Sequence, residues 1–445
     1  MGVHFGTDGI RGLANVEVTP ELALAIGRAA ARHLPSETFL VGSDTRRSGP
    51  MLLAALSAGI AAEGGQVQNL GVLPTPALAY LAAMRSHPAA MVSASHNPFY
   101  DNGIKLIAAN GSKLPDALER AIEEEIDLLL AGETSKTVSG AAVGVIENDS
   151  TGLVAYEEYL AAAVPAGPAS RLKVICDCAQ GAASVVAPQV LARLGVEFHM
   201  IGASPDGTNI NDGFGSTDIA ALAEAVREHH ANLGVAFDGD ADRLIAVDEH
   251  GDVVDGDRLI ALFATDLLSK GSLRGGAVVV TVMSNLGLHR ALATAGIEVV
   301  ECAVGDRNIL EALEAKSLCF GGEQSGHLIF LDHATTGDGL LSALKLLDLL
   351  GRADRPLSDL AANAMTRLPQ ELRTIYVPEP TRYATNDAIL TAIGEVQLLL
   401  GNSGRLLVRA SGTESAVRVM VEAEEAELAT AAAERLAALV AAQLG

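Results

Sequence analysis

Three aspartates at alternate positions, Asp238, Asp240 and Asp242, follow the apolar run 233–237 in the order Asp-Gly-Asp-Ala-Asp-Arg. Alternate carboxylates can converge on one hard cation through oxygen ligands, and the small Gly239 and Ala241 between them let such a loop curl tightly. An EF-hand is a different arrangement. Counting Asp238 as its first position, Glu249 falls twelfth, but Arg243 occupies the sixth, where that loop's sharp turn needs Gly. Without an ion, three like charges would repel one another beside a buried strand.

Other polar loops punctuate apolar runs in the same way. Ser93, Ser95, His96, Asn97 and Pro98 follow the run 90–92. Ser, Asn and Pro are ordinary turn formers, so this loop reads as a turn or as a nucleophile needing an activating partner. Glycines flank Glu323, Gln324, Ser325 and His327 after another strand-like run. The stretch Arg409-Ala410-Ser411-Gly412-Thr413-Glu414-Ser415, with Arg418 beyond, offers guanidinium forks, hydroxyls and backbone N–H groups, which suit a phosphate dianion. Read alone, a plain hairpin turn accounts for it as well.

The elements that must hold these loops alternate. Thr19, Pro20 and Glu21 predict a helix start, with the helix running to about 34. Strands over 39–41, 67–70 and 90–92, with helices between, predict a doubly wound α/β domain over 1–150 with a mostly parallel sheet. The same grammar repeats over 151–254, with a strand at 173–177, a helix at 182–194 and a strand at 233–237. It repeats again over 255–366, where Asp338 is the expected N-cap of a helix from 339 to 350. From 367 to 445 the order becomes strand, helix, two strands and an Ala-rich helix, a smaller α+β domain. Three of the four polar loops lie just past the carboxyl end of a strand, where open α/β sheets place ligands.

Composition narrows the partners. At 445 residues and 49% hydrophobic content the chain suits several ordinary α/β domains. Against 31 basic residues stand 55 acidic ones, a net charge of −24, which opposes nucleic acid or an anionic membrane surface as partner. Any phosphate must then be held by locally focused Arg, Lys, metal or N–H groups. The four cysteines, at 176, 178, 302 and 319, lack zinc-site spacing and read as buried reduced thiols. The start lacks a secretory pattern and no apolar run reaches about 18 residues, so a cytoplasmic location is expected.

In this order, the S-H-N-P, D-G-D-x-D-R, G-E-x-S-G-H and R-x-S-G-T-E loops resemble those of the α-D-phosphohexomutase family over essentially the whole chain. The resemblance implies three similar doubly wound domains and a C-terminal α+β domain around a central active-site cleft. It implies that Ser95 is phosphorylated, and that one Mg²⁺ per chain is held by Asp238, Asp240, Asp242 and the Ser95 phosphoryl group. Glu323 and Ser325 would contact sugar hydroxyls. Arg409, Ser411, Gly412 and Thr413, with Arg418, would clamp the phosphate that is not transferred. Arg243 would neutralise charge on the transferred phosphoryl, and Arg11, Lys105 and His327 would handle protons and support oxyanions. The C-terminal domain would close as a lid.

Within the family, the runs 5–12, 99–105 and 331–339 and Gln324, where mannose-type members have Met, look most like the branch acting on glucosamine phosphates. The implied reaction interconverts glucosamine 6- and 1-phosphate through a 1,6-bisphosphate, feeding UDP-N-acetylglucosamine and cell-wall precursors. A homodimer is implied too. The alternatives are a sister mutase for glucose or mannose phosphates, and a metal-dependent sugar-phosphate phosphatase. One departure stands out: Ser415 replaces the family's usual Pro, removing a rigid residue from the clamp.

Overall fold

The computed structural model describes residues 5–6, 9–132, 138–165, 167–411 and 414–445. By its internal contacts the chain forms two units, Met1–Met283 with Ile297–Ala362, and Ser284–Gly296 with Asn363–Gly445.

Three sheets of one design build the first unit. The first runs Ile10–Leu13, Asp101–Ile107, Ala89–Val92, Thr38–Ser43, Gln66–Val72, Ile146–Asn148. Its last four strands are parallel. The strand Asp101–Ile107 turns back antiparallel to Ala89–Val92. In the second sheet Leu233–Phe237 lies parallel to Lys173–Asp177 and is followed antiparallel by Leu244–Asp248. In the third, Phe320–Gly322 lies parallel to Ala277–Thr281 and is followed antiparallel by Leu328–Phe330. The sheets are therefore mixed; in the first, where the sequence pattern predicts a mostly parallel sheet, three of the five pairings are parallel.

Each turn-back has a consequence for chemistry. A parallel strand buried on both faces, such as Ala89–Val92 or Leu233–Phe237, must be apolar along its length. Polar residues are thus expelled to its carboxyl end, into the tight loop before the antiparallel strand. The serine, aspartate and Glu323 loops are these three turn-backs.

Helix caps follow the sequence expectation. The Thr19 side chain accepts from Leu22 N at the start of Pro20–His33, and Asp338 accepts from Leu341 N at the start of Gly339–Ala353. The single helix expected over 182–194 is instead a 3₁₀ turn, Ala182–Val185, and the helix Ala187–Arg193. Pro188, in the first turn of that helix, explains the break, since it tolerates a helix start but not an interior. Cys176, Cys178 and Cys319 are buried and Cys302 half-buried, all as free thiols. Among the described residues no helix is long and apolar enough to cross a membrane.

The second unit is an antiparallel sheet with Ala416–Ala423 between Gln370–Tyr376 and Gly404–Ala410. The helices Asp387–Leu400 and Ala426–Leu444 cover it, packing Val396, Leu436 and Val440 against Val419 and Val421. Leu286–Thr294 belongs to the same unit, where the buried Glu422 carboxylate accepts from Leu286 N at 3.0 Å and Asn285 Nδ2 at 3.3 Å.

Candidate active site

Ser95 is buried, with a left-handed φ of 51° that non-glycine residues rarely adopt. The turn is held from within. Arg46 is fully buried; its Nε donates to Asp44 Oδ2 at 2.9 Å, and its Nη2 donates to the carbonyls of Ser95 and Asn97, each at 2.8 Å. Its Nη1 reaches Pro98 O and, at 3.0 Å, Asp101 O. Ser93 Oγ donates to Asp44 Oδ2 at 2.6 Å and accepts from Ser95 N at 3.0 Å. The sequence reading missed Asp44 and Arg46, although Asp44-Thr45-Arg46 also follows a buried strand, Thr38–Ser43.

Across from Ser95 lies the acidic loop. A Cβ on Gly239 would stand 2.6 Å from Ser95 O, so only glycine lets the two loops meet. Ser95 Oγ donates to Asp238 Oδ2 at 2.5 Å. Ala241, at φ 59°, turns the loop so that Asp238, Asp240 and Asp242 offer oxygens all within 4.8 Å of one another. All three are buried. Asp240 Oδ2 accepts from Lys105 Nζ at 2.9 Å and Thr75 Oγ1 at 2.6 Å. Among the described residues, Asp240 Oδ1 and Asp242 Oδ1 are buried with no hydrogen-bond partner. Buried acceptors left open in a cluster of hard oxygen donors fit a divalent cation.

The charges are uneven. Burial, then Asp242 and Asp240, push Asp238 well above the usual carboxylate range. Burial would raise Asp242 as well, but His327, Lys105 and Arg243 hold it well below that range. Arg243 N donates to Asp238 Oδ1 at 3.3 Å, and its Nε lies 3.8 Å from Asp242 Oδ1.

His327 Nδ1 stands 3.7 Å from Asp242 Oδ2. Burial opposes a charge on this ring, while Asp242, with Asp306 and Glu323 farther off, would push it up to about 9. Gly337 N, however, donates to His327 Nε2 at 3.0 Å. A doubly protonated ring would set two N–H donors face to face there, so the neutral Nδ1–H tautomer fits the geometry. His96, left out of the expected catalytic set, brings Nδ1 to 3.3 Å from Ser95 Oγ. Burial, with Arg243 and Arg11, pushes it down to about 4, so the ring is neutral near pH 7. Arg11 lies on Ile10–Leu13, paired opposite Gly103. Glu323 Oε1 accepts from Gly305 N at 3.1 Å, and Ser325 Oγ lies 3.5 Å from Glu323 Oε2.

In the second unit Arg409 and Arg418 face each other directly across neighbouring strands. Burial and Arg418 lower the Arg409 guanidinium from its ordinary range. Among the described residues, both Nε atoms are buried without a hydrogen-bond partner, as in a site built for an anion. Arg418 Nη2 donates to Glu414 Oε2 at 3.0 Å, and Ser411 Oγ accepts from Glu414 N at 3.3 Å. Ser415, in place of the usual Pro, is exposed and its carbonyl accepts from Val377 N at 2.9 Å. Gly412 and Thr413, expected in this clamp, lie outside the described residues.

Comparison with known families gives matches in order along the chain. Four phosphoglucomutase/phosphomannomutase domain models match it: α/β/α domain I over 2–130, II over 155–251 and III over 255–368, and the C-terminal domain over 374–439. The chain belongs to the phosphoglucomutase/phosphomannomutase family. Relatives named phosphoglucosamine mutase include one from Desulforudis audaxviator, 50% identical over 99% of this chain and 98% of its own. Another, from Saccharopolyspora erythraea, is 48% identical over 99% of this chain and 100% of its own. Among solved structures, a family protein from Burkholderia thailandensis has a TM-score of 0.80 at 24% identity, covering 98% of this chain and 97% of its own. Aspergillus fumigatus N-acetylphosphoglucosamine mutase, solved with GlcNAc-6P and magnesium, has a TM-score of 0.71 at 18% identity, covering 99% of this chain and 96% of its own. The chain is thus a phosphohexomutase by family and by fold.

Proposed function

We propose that this phosphohexomutase interconverts glucosamine 6-phosphate and glucosamine 1-phosphate, with phosphorylated Ser95 as the donor. The observation that carries the reading is the Ser95 hydroxyl donating to Asp238 of a buried carboxylate triplet, on a turn fixed by a buried guanidinium. A nucleophile so placed can hold a phosphoryl group only if its charge, about −1.5 to −2, is neutralised beside the aspartates. Asp238, Asp240 and Asp242 would hold Mg²⁺, which supplies that neutralisation and polarises the phosphoryl oxygens.

The 1-hydroxyl attacks the phosphorus on Ser95; its bond to Oγ breaks as the new P–O bond forms, and Oγ takes up the proton the hydroxyl gives up. Arg11, Lys105 and His327 are the groups proposed to move that proton. The 1,6-bisphosphate turns over, Ser95 Oγ attacks the phosphorus at position 6, the bond from that phosphorus to O6 breaks as O6 takes up the proton Oγ gives up, and glucosamine 1-phosphate leaves with the phosphoserine restored. Arg243 would balance charge on the transferred group. Glu323 and Ser325 would orient the sugar hydroxyls. Arg409, Arg418 and Ser411, together with Gly412 and Thr413, would grip the idle phosphate. A cytoplasmic homodimer is the form the resemblance implies.

The amino-sugar preference rests on the relatives' names and on Gln324. kcat/KM for glucosamine 6-phosphate is expected to exceed that for glucose 6-phosphate and mannose 6-phosphate by at least about tenfold. Equal values would sink the preference while leaving a phosphohexomutase.

Thr75 offers a test of the metal site that does not depend on turnover. Its hydroxyl and Lys105 both bind Asp240 Oδ2, while Oδ1 is buried and, among the described residues, has no hydrogen-bond partner. Groups that orient a ligand typically contribute 10- to 100-fold in metal affinity. Thr75→Val should therefore weaken Mg²⁺ binding by about that factor in calorimetry. An unchanged Kd would mean that Asp240 needs no such orientation.

A further inference from the structure

The serine turn is held by a second side chain, and it comes from a loop that follows a strand of the second sheet. Asn211, beyond the strand Glu197–Ile201, donates through Nδ2 to Ser95 O at 2.9 Å and to Asn97 O at 3.0 Å. These are the two carbonyls that Arg46 Nη2 also binds. Asn211 is itself locked: its φ is 59°, and its N–H donates to Ala179 O at 2.8 Å. The same Nδ2 lies 3.1 Å from where a Cβ on Gly239 would stand. One amide therefore binds the serine loop and abuts the glycine of the aspartate loop.

We propose that Asn211 is a positioning residue for phosphoryl transfer, fixing the left-handed turn at Ser95 so that Oγ and its phosphoryl group stay aimed at the carboxylate triplet. This rests on reading Ser95 as the phosphoryl carrier. A phosphoryl dianion on Oγ adds bulk and charge to this turn, and the cation that would offset the carboxylates acts only while the group stays aimed at them. A non-glycine residue in the left-handed region already sits above its preferred conformations. Arg46 resists opening from within the first sheet. Asn211 ties the turn to the second sheet, which carries the aspartates, and so fixes the distance between donor and metal site. A displacement of about 1 Å in such a site costs on the order of 10²-fold in rate.

Asn211→Gly is the informative variant, because glycine keeps the positive φ and removes only the amide. In the full chain, kcat for glucosamine 6-phosphate is expected to fall about 10- to 100-fold. KM and the melting temperature should stay close to wild type. Isolated phosphoenzyme mixed with substrate should transfer its phosphoryl more slowly in a single turnover, and lose a larger share to water. Asn211→Asp, which presents an ionised acceptor to two carbonyls, should fall at least as far. An Asn211→Gly enzyme with wild-type kcat would overturn the proposal. So would a variant whose kcat, KM and melting temperature all worsen together, since that describes a structural role. If wild-type phosphoenzyme transfers nothing from Ser95 to the sugar, the reading of Ser95 itself falls, and this proposal with it.

Discussion

Ser95→Gly and Ser95→Ala should both lose isomerisation by at least about 10⁴-fold, since removing a nucleophile leaves only binding and electrostatic contributions. Their stabilities should differ, which separates chemistry from folding. At φ 51° glycine escapes the left-handed penalty of about 1 kcal/mol, roughly offsetting the lost hydrogen bond to Asp238 at about 1 kcal/mol. Ser95→Gly should therefore melt close to wild type. Ser95→Ala keeps the penalty and loses the bond, so it should be less stable than the glycine variant by about 1 kcal/mol. Steady-state rates and thermal melts on the three proteins check both halves. Turnover by either variant at more than a small fraction of the wild-type rate would remove Ser95 from the reaction.

The loops were legible because a buried parallel strand cannot hold polar groups, so Ser95, Asp238 and Glu323 stand out at the ends of apolar runs. The strands Lys173–Asp177 and Leu233–Phe237 end where their patterns end, for the same reason. The antiparallel strand after each loop was not legible. Asp101–Ile107 carries Asn102 and Lys105 into buried positions, and Leu244–Asp248 is buried at every residue, so neither alternates. Leu328–Phe330 has only 3 residues, too few for any period. The supports of the site are hidden more deeply. Asn211 reaches Ser95 across 116 residues and Thr75 reaches Asp240 across 165. Each acts through hydrogen bonding between distant segments, which no local spacing records. Asn211 inside Asn-Ile-Asn-Asp-Gly looks like any turn.

Metal removal should have an effect of similar size, with a pH signature set by Asp238. That carboxyl is held above its ordinary range by burial and by Asp242 and Asp240. A raised carboxyl stabilises the fold in its protonated form. Its contribution is complete below the ordinary value near 4 and is lost as pH rises through the raised one. Asp242 is shifted the other way, so its contribution is lost only in acid and does not change across this window. In metal-free protein the Asp238 contribution should thus fall as pH rises above its ordinary value near 4, and Mg²⁺ should restore stability by displacing the proton. Asp238→Asn imitates the protonated group and can still accept from Ser95 Oγ. It should be at least as stable as metal-free wild type above the pH at which Asp238 ionises, show no Mg²⁺-dependent rise in melting temperature, and turn over on the order of 10³-fold more slowly. Melting curves across pH with EDTA or Mg²⁺, beside steady-state rates, check this. Full activity in EDTA-treated wild type, or an equal Mg²⁺ shift in the variant, would show that the triplet does not hold the working ion.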